Sequence, residues 1–174
     1  MSSATTQITL ETYLRTPYEP DVDYVDGGIE ERNVGEYDHN IIQRAILIWF
    51  YLHEMEWGIR SIQEQRTQVA ATKVRIPDVS VFSRSTPVEQ VFSRPPMIAV
   101  EVLSPEDRHS RIAAKIRDYI DFGVRNIWVV DSRTRQGWDC SDGNWVRSDQ
   151  LTVSGTPIYL SLPELFEKIN RESV

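Results

Sequence analysis

Two apolar runs, MIAVEVLS (Met97–Ser104) and NIWVVDS (Asn126–Ser132), flank a segment in which Ile112, Ile116, Tyr119 and Ile120 recur at helical spacing up to Gly123. Strand, helix, strand in that order predicts a right-handed crossover between two parallel strands, and with it a mixed α/β class. The first strand carries an anomaly. MIAVEVLS is short and rich in β-branched residues, as a buried strand is, yet it contains Glu101. An ionised carboxylate is costly to bury without a partner, so something must hold that charge.

Side chains alternate along a strand, so Met97, Ala99, Glu101 and Leu103 share one face while Ile98, Val100 and Val102 share the other. The same arithmetic in RIPDVSVF groups Ile76, Asp78, Ser80 and Phe82, with Val79 and Val81 behind. If the two strands are neighbours, Asp78 and Glu101 converge, and two close carboxylates repel unless a proton or a cation intervenes. Magnesium is the natural cation, because it prefers oxygen ligands and commonly takes only one or two carboxylates, leaving room for water and a substrate phosphate. On the following helix Lys115 lies three residues after Ile112 and four before Tyr119, at the border of the buried stripe. From there its ammonium can reach towards the acids and stabilise charge on a phosphate.

The rest of the chain reads as supporting structure. TLETYLR predicts a short first helix, and VDYVDGGIEERN a β-hairpin with Asp26, Gly27 and Gly28 at its tip. Tyr37 to Trp57 predicts one long amphipathic helix stopped at Gly58. RSIQEQRTQVA and KVRIPDVSVFS read as two extended segments, with Pro77 marking an edge, a bulge or a strand start in the second. SRSTPVEQVFSRPP is a long loop, TRQGWDCSDGNWVRS a second hairpin with an Asp-Gly turn, and SLPELFEKIN a closing helix with Ser161 as cap and Pro163 in the first turn. With no internal repeat, residues 1–174 read as a single domain, large enough to bury a core without disulfides.

Composition narrows the function classes. The one cysteine, Cys140, cannot form an internal disulfide, and MSSATTQITLETYLRT lacks the basic start and long apolar run of a signal peptide. IIQRAILIWFYLHEMEW keeps polar residues at intervals, which argues against a membrane span, so a soluble cytoplasmic protein is expected. A net charge of -7 weighs against coating nucleic acid through bulk electrostatics, although carboxylates gathered around a cation contribute to that count and local arginines can still meet phosphates. The histidines and Cys140 lack zinc-ligand spacing, HEMEW at His53 is not HExxH, and neither GxxxxGK[ST] nor a GxGxxG after a strand is present. Ser104, before a proline in EVLSP, suits a turn cap better than a nucleophile.

The order Pro77-Asp78, then Glu101-Val102-Leu103-Ser104, then Lys115 on a K-x-x-x-Y helix and NIWVVD beyond resembles the Uma-type restriction endonuclease family of the PD-(D/E)xK nuclease superfamily. The resemblance runs from about the VDYVDGGIEE hairpin to the WVVDS strand and the hairpin after it. It implies a restriction-endonuclease-like mixed central sheet flanked by helices and an endonuclease dependent on Mg2+, with Mn2+ as a substitute, acting on DNA. It further implies that Asp78 and Glu101 are metal ligands and that the Val102 carbonyl adds an oxygen. Leu103 stands where the superfamily places its lysine, so Lys115 supplies that cation from the helix. Glu31, after the DGG turn, matches an additional acidic position, and His39 one where the family often carries histidine. A homodimer is expected, because cutting both strands of a duplex needs two sites and two-fold pairing is the commonest assembly.

Each of these residues also has a plain structural role open to it. Glu101 could pair with a lysine or arginine, Asp78 could cap local backbone, and the Lys115 stem could lie along the core with its ammonium in water. Glu31 could be the solvated face of a hairpin and His39 an ordinary helix-start residue. Arg108, Arg111 and Arg117 could contact a DNA backbone or form a charged solvated face, and the five tryptophans suit packing better than base stacking. The rival functional reading is a nuclease-like fold without catalysis, used for binding or assembly, kept open by the acidic charge and the absent in-strand lysine. A small-molecule hydrolase would instead need a closed pocket beside the acids.

Overall fold

The hydroxyl of Thr9 accepts the Thr12 N–H and caps helix α1 (Leu10–Arg15), where the sequence predicts it. A computed structural model describes residues 7–33 and 35–172, so the first six residues of the stretch read against a signal peptide lie outside it. Strands β1 (Asp23–Val25) and β2 (Gly28–Glu30) form the predicted hairpin. Val25 pairs with Gly28, so the loop is the two residues Asp26 and Gly27, both at positive φ (48° and 90°) as a type I′ turn requires. Gly28 belongs to the strand.

The predicted long helix is two. Helix α2 (Tyr37–Leu52) stops where His53 Nδ1 bonds the Trp49 carbonyl at 2.7 Å, the carbonyl its own amide would reach in a continuing helix. That amide bonds Phe50 instead, and the Glu54 carboxylate is drawn aside to the Ser61 N–H and Oγ. The single turn α3 (Glu54–Trp57) then ends at Gly58 in the left-handed region, φ 64°.

Each predicted extended segment also divides. RSIQEQRTQVA becomes β3 (Ile59–Gln63) and β4 (Thr67–Ala70), separated by a turn with Glu64 at φ 48°. KVRIPDVSVFS becomes β5 (Lys73–Arg75) and β6 (Val79–Ser83). Pro77 offers no N–H to a ladder, and the chain passes there from one sheet to the other, so β6 starts just after it. After the long loop come β7 (Ile98–Leu103), α4 (His109–Phe122) and β8 (Asn126–Asp131), with β7 and β8 parallel as expected. The second hairpin is β9 (Gly137–Asp139) with β10 (Val146–Arg147). A third hairpin, β11 (Gln150–Thr152) with β12 (Tyr159–Ser161), precedes α5 (Leu162–Glu172) and was not predicted.

Among the described residues the strands form a mixed six-stranded sheet in the order β10-β9-β8-β7-β6-β3 and a four-stranded antiparallel sheet in the order β2-β1-β5-β4, beside the β11–β12 pair. One face of the large sheet, with Val79, Val81, Ile98, Val100 and Val102, packs on Ile42, Ile46 and Phe50 of α2 and on Leu165 and Ile169 of α5. The other face, with Ala99, Ile127 and Val129, packs on Ile112, Ile116 and Tyr119 of α4. Each fully buried aliphatic side chain contributes about 1.5–3 kcal/mol here. Among the described residues no helix is long and apolar enough to cross a membrane.

Close packing makes one glycine a sharp test of this core. A Cβ at Gly137 would lie 2.4 Å from Leu162 Cδ1 and 3.3 Å from the Ser148 carbonyl oxygen. Gly137→Ala is expected to lower stability by about 1–3 kcal/mol, read as a lower urea midpoint. An unchanged midpoint would show that Leu162 has room to move.

Candidate active site

The register of β6 against β7 pairs Val81 with Ile98, Ser80 with Ala99 and Val79 with Val100. One step further, just beyond the last paired residues, Asp78 stands across from Glu101. The two acids share the α4 side of the sheet, opposite the valine layer, as alternation predicts. Because the chain leaves the ladder at Pro77, the Val102 N–H finds no backbone partner there and donates to Asp78 Oδ2 at 2.7 Å. Gln43 of α2 holds the Asp78 main-chain carbonyl through Nε2 at 3.2 Å.

One turn of α4 grips both oxygens of Glu101. Lys115 Nζ donates to Oε2 at 2.7 Å, and Tyr119, four residues on, donates its hydroxyl to Oε1 at 2.5 Å. Lys115 also reaches the Ile76 carbonyl at 3.4 Å and lies 3.8 Å from Asp23 Oδ2. It is buried, with 5% of its surface exposed, so its ammonium points to the acids and away from solvent. Asp78 takes Arg32 Nη2 on Oδ1 at 2.9 Å and His39 Nε2 near Oδ2 at 3.4 Å. His39 is itself buried, with Nδ1 lacking a protein partner.

Asp78, Glu101, Lys115, Arg32 and His39 line a small cavity of about 30 Å³, together with Asp23, Glu31, Asn33, Asp107 and Arg111. A wider groove of about 720 Å³ shares Glu30, Glu31, Arg32, Asn33 and Arg111 with it and adds Glu106 and Arg108. Behind the cavity Arg75 binds Asp23 at 3.2 Å, Glu30 at 2.7 Å and Asp118 at 2.7 Å, which fixes the small sheet against α4.

Of the predicted residues, Asp78, Glu101, Val102, Lys115 and His39 come together. Glu31 lies exposed at the rim, tied through its main-chain carbonyl to Arg111 at 2.7 Å. Arg108 and Arg111 flank the outer groove, whereas Arg117 lines neither space. Sequence reasoning missed Arg32, Asp23 and the role of Tyr119. The K-x-x-x-Y spacing was a usable signal for Tyr119, since residues four apart on a helix address the same neighbour. Nothing local marks Arg32 or Asp23, which arrive on the small sheet and the segment after it.

Burial alone would raise the Asp78 pKa, but the His39 hydrogen bond and the charges of His39, Arg32 and Lys115 outweigh it and hold the carboxyl down at about 2. Glu101 moves the other way. Burial drives it up to about 7, against the pull of Lys115 and with a further push from Asp78. Burial lowers the His39 pKa, yet the hydrogen bond and charge of Asp78 win and the net shift is upward. A group whose folded pKa exceeds its unfolded value stabilises the fold below the unfolded pKa and loses that contribution as pH rises through the folded one. Glu101 and His39 share this sign, and Asp78 acts only at lower pH. In a chelator the melting temperature is therefore expected to fall from about pH 5 to about pH 8. Glu101→Gln should flatten the slope, and a flat or rising wild-type profile would contradict it.

Among the described residues no three His, Cys, Asp or Glu side chains gather as a metal cage. Magnesium does not need one, since one or two carboxylates with waters suffice. The Val102 carbonyl faces the same side as its amide, because the Leu103 carbonyl is turned to Ser132 beside β8 and strand residues alternate. Two buried carboxylates beside that carbonyl fit a hard divalent ion in donor type.

No curated protein matches the chain. In fold it is similar to a crystal structure described as a "putative nuclease belonging to DUF820" from Anabaena variabilis, with TM-score 0.75 and 21% identity over 93% of this chain and 99% of that one. A DrdV–DNA complex solved by cryo-electron microscopy aligns at TM-score 0.43 and 15% identity over 74% of this chain and 10% of that one, too distant to build on. The family model of Uma2, described as "Putative restriction endonuclease", matches residues 10–169, and the chain belongs to that family.

Proposed function

We propose that the protein is a divalent-metal-dependent endonuclease that hydrolyses phosphodiester bonds in DNA, with Mg2+ the working ion and Mn2+ able to replace it. The observation that supports this most is the strand register that sets Asp78 across from Glu101 with the Lys115 ammonium buried against them. The family description and the DUF820 likeness favour a nuclease, and the restriction-type description favours DNA. A bound metal would supply Lewis-acid polarisation of the phosphate and a water nucleophilic at neutral pH.

The chain's own residues do the rest. Asp78 and Glu101 would hold the ion, with the Val102 carbonyl as a further oxygen. His39 keeps Asp78 ionised, and Tyr119 fixes the Glu101 oxygen that Lys115 leaves free. Lys115, steadied by Glu101 and Asp23, offers positive charge where a phosphate would meet the cavity. Arg108 and Arg111 on the outer groove suit flanking phosphates, and Glu31 at the rim would add negative charge at the mouth of the cavity. Two chains paired about a two-fold axis would supply one site per DNA strand.

A second reading, a nuclease fold serving only to bind or assemble, is favoured by one observation: all four carboxylate oxygens of Asp78 and Glu101 already have protein partners. Supercoiled plasmid separates the two. Purified protein should nick it with Mg2+ or Mn2+, stop in EDTA, and lose the activity as Glu101→Ala. Equal nicking by wild type and variant would mean a contaminant, and no nicking under any metal would favour the binding module.

A further inference from the structure

Arg32 stands where the metal reading and the observed contacts collide. Its guanidinium bonds Asp78 Oδ1 at 2.9 Å, with Glu64 more distant at 3.7 Å, and its side chain is only 6% exposed. A divalent ion bound by Asp78 would sit beside this fixed positive charge, and like charges at that range repel strongly in a buried site. One of the Asp78 partners must therefore yield. The Val102 amide is backbone within β7 and cannot leave without it, and His39 Nε2 stands farther off at 3.4 Å and can shed its charge by losing a proton, whereas the Arg32 guanidinium cannot. Arg32 follows β2 outside any helix or strand, on a short segment held by two contacts to the α4 end: Arg111 to the Glu31 carbonyl and Asn33 to Asp107, both 2.7 Å.

Arg32 also lines both the inner cavity and the outer groove that carries Arg108 and Arg111. Because it borders both, turning its side chain would move the guanidinium from one to the other. A planar fork of donors is the group best matched to a phosphate. We propose that Arg32 is an exchangeable counter-cation: it neutralises Asp78 until a divalent ion takes that oxygen, and it then turns its fork onto a DNA phosphate in the outer groove. Metal and substrate would so be coupled through one side chain. The proposal rests on the nuclease reading and adds a residue, a motion and a binding order to it.

Isothermal titration of Mn2+ into wild type, Arg32→Gln and Arg32→Lys, without DNA, tests the first half. Arg32→Gln should bind Mn2+ on the order of tenfold more tightly, and Arg32→Lys close to wild type. With Ca2+, which takes the same oxygen ligands, Arg32→Gln should bind duplex DNA on the order of tenfold more weakly. A readout on the wild type guards against a variant that fails to fold. Amide exchange in a peptide covering residues 30–33 should rise when Mn2+ is added. Mn2+ binding to Arg32→Gln that is equal to or weaker than wild type, or exchange that is unchanged or slowed, overturns the proposal while leaving the nuclease reading in place. Absence of Mn2+ binding in all three proteins would remove that reading as well.

Discussion

Asp78→Asn is expected to reduce metal-dependent plasmid nicking by about 10²–10³-fold, the scale of removing one group that organises charge in a transition state. The substitution changes almost no volume. It keeps an acceptor for the Val102 N–H but deletes the charge that a divalent ion would need, and it leaves Arg32 and His39 without their anion. Buried Arg32 then loses its hydrogen-bonded carboxylate and keeps Glu64, at 3.7 Å, and the more distant charges of Glu101 and Asp23, so a stability cost accompanies the loss of activity. Initial rates measured on protein shown to be folded by circular dichroism separate the two effects. A folded Asp78→Asn protein that nicks at the wild-type rate would remove Asp78 from the chemistry.

Arg75→Ala should give the largest stability change in the chain, about 3–5 kcal/mol, as expected when one partner of a buried ionic cluster is removed. Arg75 is 2% exposed and binds Asp23, Glu30 and Asp118, so alanine leaves three carboxylates sharing a space with too few cations. Lys73 still reaches Asp118 at 2.9 Å and Lys115 lies 3.8 Å from Asp23, which limits the damage without repairing it. Arg75→Lys should recover only part, because an ammonium cannot fork to acids on three elements. Urea denaturation at neutral pH reads the difference directly. A loss below about 1 kcal/mol would mean that the cluster relaxes into water.

How much of this was legible in the sequence depends on whether the cause is local. Alternation along two short strands was enough to put Asp78 and Glu101 on one face, because that period is a property of the strand itself. Helical spacing likewise placed Lys115 at the border of the buried stripe, although the residue is almost fully buried because the acids and the Ile76 carbonyl draw the ammonium inward. Pro77 left an edge, a bulge or a strand start open, and the strand starts two residues after it. That the residues before and after it belong to different sheets is a long-range fact, since it depends on Tyr24 pairing with Val74 and Val79 with Val100.

The omissions have the same character. Arg32 and Asp23 reach the cavity only because the small sheet packs beside α4, and their neighbours in sequence do not record it. The break at His53 follows from a side-chain bond to a carbonyl that helical periodicity cannot register. β11 and β12 are three residues each, too short for an alternating pattern to stand out.

The proposed chemistry requires a divalent ion settling between the carboxylates of Asp78 and Glu101. A crystal of the protein soaked in Mn2+ and measured for anomalous scattering tests that directly. The predicted result is a peak at about 2–2.3 Å from an oxygen of each acid, with Arg32 displaced from Asp78. A peak bound elsewhere, or none at saturating Mn2+ with Arg32 still on Asp78 and Lys115 still on Glu101, would contradict the assignment.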